Sequence, residues 1–172
     1  MDCSRLKTLI LSRNVCNAIA MASIETYPNE STGGLFASHK MGSVAKVDFA
    51  IPYQCARRGK TWFWTKSSAK FAKLASGTLV KLGDFHSHTS EKGQPLYEYP
   101  SETDLKNIKP GDLELIIALA PCKARPGWKA SKIHVVGHVA GFEFYIAAYV
   151  RGKGKFQDGE LRHHKLLLKV EG

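Results

Sequence analysis

The alternation of apolar and polar positions divides the chain into one clear helix and a series of strands. Over Arg13–Thr26 the apolar residues recur at helical spacing, which places Val15, Ile19 and Ala22 on one face. Ser12 stands just before this stretch, where a hydroxyl can accept a hydrogen bond from an early backbone N–H group. The pattern therefore predicts an amphipathic helix with an N-cap at Ser12.

Several stretches instead have the apolar and β-branched composition of strands. Leu35–Ser38 and Val44–Ile51 are predicted as strands joined by a turn near Met41 and Gly42. Leu113–Ala120 is nearly all apolar, which is typical of a strand buried on both faces. Further strands are predicted over Thr78–His88, Ile133–Val139 and Phe142–Val150, the last two joined by a turn at Ala140-Gly141.

Two shorter helices are predicted, over Ser67–Ala75 and Ser101–Ile108. Residues 52–60 are interpreted as a loop, and the aromatic stretch Trp62–Trp64 as a strand end or a helix entry. For the tail, a hairpin turning near residues 157–160 and a helix over Leu161–Val170 both remain open. Strands that alternate with helices predict an α/β protein, with one domain over residues 1–172 and a sheet covered by helices.

Composition and cysteine spacing place this domain among ordinary globular proteins. Its 172 residues are 44% hydrophobic and 23% charged. No signal-peptide apolar region is recognised near the start, and the strongest apolar run is too short to span a bilayer. No C-x-x-C pair occurs, so no disulfide framework is expected and a reducing, cytoplasmic location is predicted. The four cysteines are Cys3, Cys16, Cys55 and Cys122.

The candidate chemistry lies in the stretch Gly83–His88 and in the helix start that follows it. Successive side chains of a strand alternate faces, so His86 and His88 are expected to point the same way. Asp104 is the natural third ligand. Two histidines and a carboxylate leave a fourth tetrahedral position open, as in catalytic rather than structural zinc sites. A plain helix start, with Ser101 as N-cap, is an alternative that is compatible with the metal site.

The motif His86-Ser87-His88 followed by Ser101-x-x-Asp104 resembles the signature of the JAMM/MPN+ metalloproteases. That family also has an upstream glutamate in a Pro-x-Glu-x-x-Gly-x-Leu-like context, and this chain has Glu30 within the similar stretch Pro28–Leu35. The resemblance covers about residues 28 to 120. One departure is the segment 89–100, which is longer than the usual family spacing, and we interpret it as a mobile flap near the substrate.

The resemblance implies an MPN fold, a mixed β-sheet flanked by helices and similar to cytidine deaminases. It implies Zn²⁺ held by His86, His88 and Asp104, with Glu30 as general base and then general acid. Ser101 would stabilise an oxyanion as a side-chain donor. The implied substrates are conjugates of ubiquitin, of a ubiquitin-like modifier or of a sulfur-carrier protein, cleaved after the C-terminus of the modifier by a compact, prokaryotic-type enzyme.

Two alternatives to a hydrolase remain open. One is an MPN module that serves as a scaffold or binding subunit, although such members have typically lost metal ligands. The other is a RadC-like, DNA-associated protein, which the net charge of +10 favours weakly. Acidic residues concentrate within residues 84–114 and most of the basic residues lie elsewhere, so a solvated basic surface is the favoured interpretation and no RNA-binding signature is evident.

Overall fold

The computed structural model describes residues 3–38, 42–53, 57–59, 62–64, 79–152 and 163–171. They form a mixed α/β structure, as predicted from the sequence. The predicted helix over 67–75, part of the turn near Met41 and the possible turn at 157–160 lie outside the described residues. The elements are β1 (Thr8–Ser12), α1 (Arg13–Thr26), β2 (Thr32–Ala37), β3 (Val44–Val47), β4 (Phe49–Pro52), β5 (Arg57–Gly59), β6 (Trp62–Trp64), β7 (Val80–Thr89), α2 (Glu102–Asn107), β8 (Leu113–Pro121), β9 (Gly127–Ala130), β10 (Val135–Val139), β11 (Phe142–Arg151), β12 (His163–Lys165) and β13 (Leu167–Glu171).

The larger sheet has eight strands in the order β4-β2-β7-β8-β11-β10-β9, with β12 pairing to β11. Strands β7 and β8 are parallel, and the other described pairs of this sheet are antiparallel. Leu113 to Ala120 of β8 are buried throughout, as predicted for a strand covered on both faces. The crossover from β7 to β8 contains α2. The His86-Ser87-His88 motif on β7 and the Ser101-x-x-Asp104 motif at the start of α2 are therefore joined by one connection.

A second, three-stranded sheet has the order β13-β1-β3, and both of its pairs are parallel. The helix considered over Leu161–Val170 is therefore wrong, because residues 163–165 and 167–171 are strands. In β13, buried Leu168 lies between exposed Leu167 and Lys169, which is the period of two that a strand requires. Strand β1 was also missed by the sequence analysis.

The segment predicted as one strand over Val44–Ile51 is split between the two sheets. The break falls at Asp48, whose backbone N–H donates to Phe36 O at 2.9 Å and whose carboxylate accepts from the Ser38 N–H at 2.6 Å. These bonds turn the chain, so that β3 joins β1 and β4 joins β2. The predicted loop over 52–60 is also wrong in part, because β5 pairs with β6 as an antiparallel hairpin.

Helix α1 and the β10–β11 turn form as the sequence predicts. The Ser12 hydroxyl accepts from Val15 N at 3.2 Å, which satisfies one of the unpaired N–H groups of the first turn. The apolar face of α1 is buried in the main core. Ala140 and Gly141 have φ angles of 48° and 82°, as a two-residue type I′ hairpin turn requires. Among the described helices, none is long and apolar enough to cross a membrane.

Gly83 of β7 offers a stability test, because its backbone lies against the carbonyl of Leu113 on β8. A Cβ at this position would overlap with that carbonyl, and a backbone atom in a paired strand cannot move aside cheaply. Gly83→Ala is expected to lower the free energy of unfolding by about 1–3 kcal/mol, as overpacking typically does. Gly42→Ala is the matched control, since its added Cβ would meet no atom within 4 Å. Denaturant unfolding of both variants checks this, and equal stabilities would contradict it.

Candidate metal centre

Strand alternation places Asp84, His86 and His88 on one face of β7, as the sequence predicts. The parallel partner strand adds one more residue to that face, because Glu114 lies in register with Asp84. Phe85, which points to the opposite face, is fully buried in the main core. The two histidines are thus fixed by a strand whose reverse side is packed, and their side chains emerge where the sheet meets the β7–β8 crossover.

The crossover supplies the third candidate ligand through a capping box at the start of α2. The Ser101 hydroxyl accepts from Asp104 N at 3.1 Å, and the Asp104 carboxylate accepts from Ser101 N at 2.7 Å. This reciprocal pair fixes the rotamer of Asp104. The carboxylate oxygen Oδ2 that accepts from Ser101 N also faces both imidazoles. The plain helix start and the metal site are therefore the same structure, as the sequence analysis allowed.

The three candidate ligand atoms form a compact triangle. The Nε2 atoms of His86 and His88 are 3.1 Å apart, and Asp104 Oδ2 lies 3.5 Å and 3.3 Å from them respectively. Ligands about 2.0–2.1 Å from a tetrahedral zinc ion are separated from one another by about 3.3 Å. The donor set and its spacing thus fit a metal ion bound by two imidazoles and one carboxylate, with a further position open.

Each imidazole is oriented by a hydrogen bond at its other nitrogen. His86 Nδ1 lies 2.6 Å from Glu114 Oε1, and His88 Nδ1 lies 2.8 Å from the carbonyl oxygen of Tyr97. Both partners are acceptors, so each Nδ1 carries the proton and each Nε2 is directed to the centre. An acceptor that holds the other ring nitrogen in this way fixes the tautomer of a metal-binding histidine and raises its basicity.

The electrostatics of the group favour a cation. Burial lowers the pKa of His86, but hydrogen bonds to Asp104 and Glu114 outweigh it and raise the pKa to about 10. Burial acts to raise the pKa of Asp104, yet its interactions with the neighbouring imidazoles, His86 above all, hold that pKa far below its usual range. In the absence of metal, a proton on His86 therefore balances the carboxylates. Metal binding replaces this proton, so proton release should accompany it.

Glu30 is buried beside this group, with 7% of its surface exposed. Burial is the largest influence on its carboxyl and raises the pKa to about 7, while the nearby charges of His86 and His88 act to lower it. The backbone N–H of Glu30 donates to Gly59 O at 2.9 Å. A carboxyl with its pKa near neutrality can both accept and return a proton at physiological pH.

A pair of hydrogen bonds ties the segment after Glu30 to the histidine strand. Ser31 N donates to the Ser87 hydroxyl at 2.8 Å, and Ser87 N donates to Ser31 O at 3.0 Å. The Ser31 hydroxyl also lies 2.9 Å from that of Ser23 on α1. Ser87 stands between the two candidate ligands, so these bonds fix Glu30 relative to them. This explains how residues far apart in the sequence come to share one site.

The structure therefore brings His86, His88 and Asp104 together, places Glu30 where their charges act on it and ties Ser101 to Asp104. Sequence reasoning missed the orienting role of Glu114 and of the Tyr97 carbonyl. A signal for Glu114 was present, since it is the one charged residue in the otherwise apolar run Leu113–Ala120. Such a buried carboxylate needs a partner. No signal in the sequence could identify a backbone carbonyl such as that of Tyr97.

Glu114 gives a prediction of its own. Glu114→Gln should lower zinc affinity about 10–100-fold, the usual cost of losing a carboxylate partner behind a metal-binding histidine. Competition with a chromophoric chelator measures this. Glu102→Gln, which changes an exposed acid in the β7–β8 crossover that pairs with Lys106, is the control and should leave the affinity unchanged. Equal affinities in the two variants would show that Glu114 does not support His86.

Comparison with known proteins gives structural matches alone. No protein-family model matches the chain, and no curated protein matches it. The chain is similar to the solution structure of protein DSY2949 from Desulfitobacterium hafniense, with a TM-score of 0.57, 20% identity and coverage of 95% of this chain and 94% of that one. It also matches AF2198, a JAB1/MPN domain protein from Archaeoglobus fulgidus, with a TM-score of 0.39, 21% identity and coverage of 62% and 74%.

The second match is too distant to carry an argument about this chain. The first extends over nearly the whole of both chains, although their sequences differ at most positions. The chain therefore shares its overall fold with the Desulfitobacterium hafniense protein.

Proposed function

We propose that this protein is a zinc-dependent hydrolase of the JAMM/MPN+ type. It would cleave the peptide or isopeptide bond after the C-terminus of ubiquitin, a ubiquitin-like modifier or a sulfur-carrier protein. The observation that carries the proposal is the convergence of His86, His88 and Asp104, whose candidate ligand atoms all lie within 4.8 Å of one another. The sequence motif that resembles the JAMM signature supplies these same three residues.

The residues would divide the chemistry between them. His86, His88 and Asp104 hold the ion, which when bound lowers the pKa of a water ligand and polarises a carbonyl group. Glu30 accepts a proton from the attacking water and returns it to the leaving amine. The buried position of Glu30 supports this role, because a carboxyl with a raised pKa is a better base than an exposed one. Because little water surrounds Glu30, the electrostatic interaction of its carboxylate with neighbouring charges is only weakly screened.

Ser101 is proposed as a donor to the developing oxyanion. Its hydroxyl oxygen accepts from Asp104 N, and this bond leaves the hydroxyl hydrogen available for donation. A nucleophilic role is disfavoured, since Ser101 is exposed and its hydroxyl contacts a backbone N–H rather than a base. Removal of one oxyanion donor typically costs about 10²–10³ in kcat.

The substrate class rests on the resemblance. A modifier released from a lysine side chain leaves an amine, and the proton that this amine needs is the one Glu30 would carry. Cleavage of a panel of C-terminal fusions of ubiquitin, ubiquitin-like modifiers and sulfur-carrier proteins, run with the metal content of the purified protein, tests the proposal. About one zinc per chain together with cleavage of one panel member is expected, as for a single three-ligand site.

Two results would favour the alternatives. A zinc-loaded protein that binds a modifier without cleaving it would indicate a scaffold. Binding to DNA that weakens steeply with salt concentration, without cleavage of any fusion, would indicate a DNA-associated protein.

A further inference from the structure

The segment between the two metal-binding motifs, which the sequence analysis interpreted as a mobile flap, is anchored at Glu98. Glu98 is 8% exposed, and its Oε1 lies 2.8 Å from His134 Nε2 and 3.6 Å from Lys165 Nζ. His134 immediately precedes β10 and Lys165 ends β12, so both partners belong to the far half of the larger sheet. The segment thus crosses from the histidine strand and is pinned to the other half of the sheet.

His134 contributes one hydrogen bond to this anchor in either protonation state. Its Nε2 lies 2.8 Å from Glu98 and 2.6 Å from Lys165 Nζ. A protonated Nε2 donates to the carboxylate, and an unprotonated one accepts from the ammonium group. In both states Lys165 remains beside Glu98 as a cation. Lys165 is held in turn over the ring of Tyr99, 4.9 Å from the ring centre.

The residue next to Glu98 is the one that contacts the metal centre. The carbonyl of Tyr97 accepts from His88 Nδ1 at 2.8 Å, while the side chains of Tyr97 and Tyr99 are exposed. Tyr97 and Tyr99 are exposed on either side of buried Glu98, so this part of the segment turns one side chain inward. The inward side chain is the anchor, and the carbonyl that precedes it orients His88.

We propose that Glu98 is a positioning residue for the metal centre: it pins the segment 90–100 so that the Tyr97 carbonyl holds His88 with Nε2 facing His86 and Asp104. This inference rests on the proposed function for the identity of the ligands. It assigns the long segment a fixed structural role in place of that of a mobile flap. The cluster of Glu98, His134 and Lys165 then acts on the metal through one peptide group and one imidazole.

The test compares Glu98→Ala with Glu91→Ala, which removes an exposed carboxylate from the same segment. Zinc affinity of Glu98→Ala is expected to fall about 10-fold, the lower end of the usual cost of losing the acceptor behind a metal-binding histidine, because the carbonyl is displaced rather than removed. Glu91→Ala should match the parent. Glu98→Gln, which retains the shape and an acceptor oxygen, should be intermediate and serves if Glu98→Ala fails to fold.

A readout beyond affinity separates positioning from general destabilisation. Two-bond ¹H–¹⁵N spectra report which ring nitrogens of each imidazole carry a proton, and His86, held by Glu114, is the internal reference. The parent is expected to show His88 protonated at Nδ1, and Glu98→Ala should show a mixture of tautomers at His88 with His86 unchanged. The inference would be overturned if the His86 and His88 signals of Glu98→Ala were lost together. It would also be overturned if the His88 signal and the zinc affinity of Glu98→Ala equalled those of Glu91→Ala.

The same spectra distinguish this inference from the proposed function. If the parent neither binds zinc nor cleaves any fusion, the proposed function fails. The His88 tautomer of the metal-free protein still decides whether Glu98 controls that ring. If the parent binds zinc and Glu98→Ala behaves as the parent does, the proposed function stands and the role of Glu98 is disproved.

Discussion

Asp104→Ala should leave the protein without zinc and without hydrolytic activity. Asp104 is the carboxylate of the three-ligand group, and its loss leaves two imidazoles as the remaining candidate ligands. We expect the metal content to fall from about one zinc per chain to near zero, since two ligands rarely retain a catalytic ion through purification. Elemental analysis and kcat measured on the same preparation provide the check. His88→Ala should behave in the same way.

The matched control is Glu102→Ala, on the same short helix. Glu102 is exposed and pairs with Lys106, so its removal changes the charge of α2 without touching the imidazoles. Asp104 also belongs to the capping box, and the loss of its cap costs about 1 kcal/mol in stability. Thermal unfolding of Asp104→Ala is therefore measured alongside its metal content, to separate a loss of stability from a loss of zinc binding. An Asp104→Ala protein that still holds one zinc per chain would show that the ligand assignment is wrong.

Glu30→Gln should abolish most of the turnover while zinc is retained. The amide keeps the shape of the side chain but cannot accept a proton, and Glu30 is not among the three candidate ligands. General acid–base groups contribute about 10²–10⁴-fold, so a loss of kcat of this order is expected. The substitution keeps the side-chain shape and all three candidate ligands, so substrate binding should survive and the variant should trap the modifier. Single-turnover kinetics with zinc analysis separates these effects.

Glu25→Gln, at an exposed position on the neighbouring helix α1, is the control for a Glu30 effect. Its kcat should equal that of the parent. If Glu30→Gln turns over as fast as the parent, another group takes the proton and the proposed base is wrong.

The pH profile gives a second test of Glu30. As a base it must be deprotonated, so activity should rise with pH through its pKa and fall on acidification. Burial raises that pKa to about 7 in the protein alone, and a bound cation beside the carboxylate lowers it. The acidic limb of the kcat/KM profile is thus expected at or below pH 7, and it should be absent from the residual activity of Glu30→Gln. A limb that persists in the variant would assign it to a different group.

The metal triad could be predicted from sequence because each of its parts follows from a local rule. Alternation along β7 aligns His86 with His88, and the capping box of α2 fixes Asp104. The orienting partners could not be predicted in the same way. Glu114 meets His86 through the parallel register of β7 with β8, and the Tyr97 carbonyl meets His88 beside Glu98, whose partner His134 lies across the sheet. Both depend on contacts distant in sequence.

The strand errors have the same origin. Val44–Ile51 has the composition of a single strand, and it is divided between two sheets at Asp48, which hydrogen-bonds to Phe36 and Ser38. The sequence around Leu167 permits a helix as well as a strand, and its pairing with Thr8 decides for the strand. Where two secondary structures are compatible with the local pattern, a distant partner determines the outcome, and one sequence alone does not identify that partner.

The parallel pairing of β1 with β13 has a consequence for how the chain folds during synthesis. Strand β1 is the middle strand of the smaller sheet, yet one of its neighbours is the last strand to leave the ribosome of all those described. Until β13 is made, one edge of β1 presents unpaired N–H and C=O groups beside the buried side chains Leu9 and Leu11. Such an edge invites pairing with another nascent chain. The yield of folded protein in cells should therefore depend strongly on chaperones that cover this edge, even if the finished protein is stable.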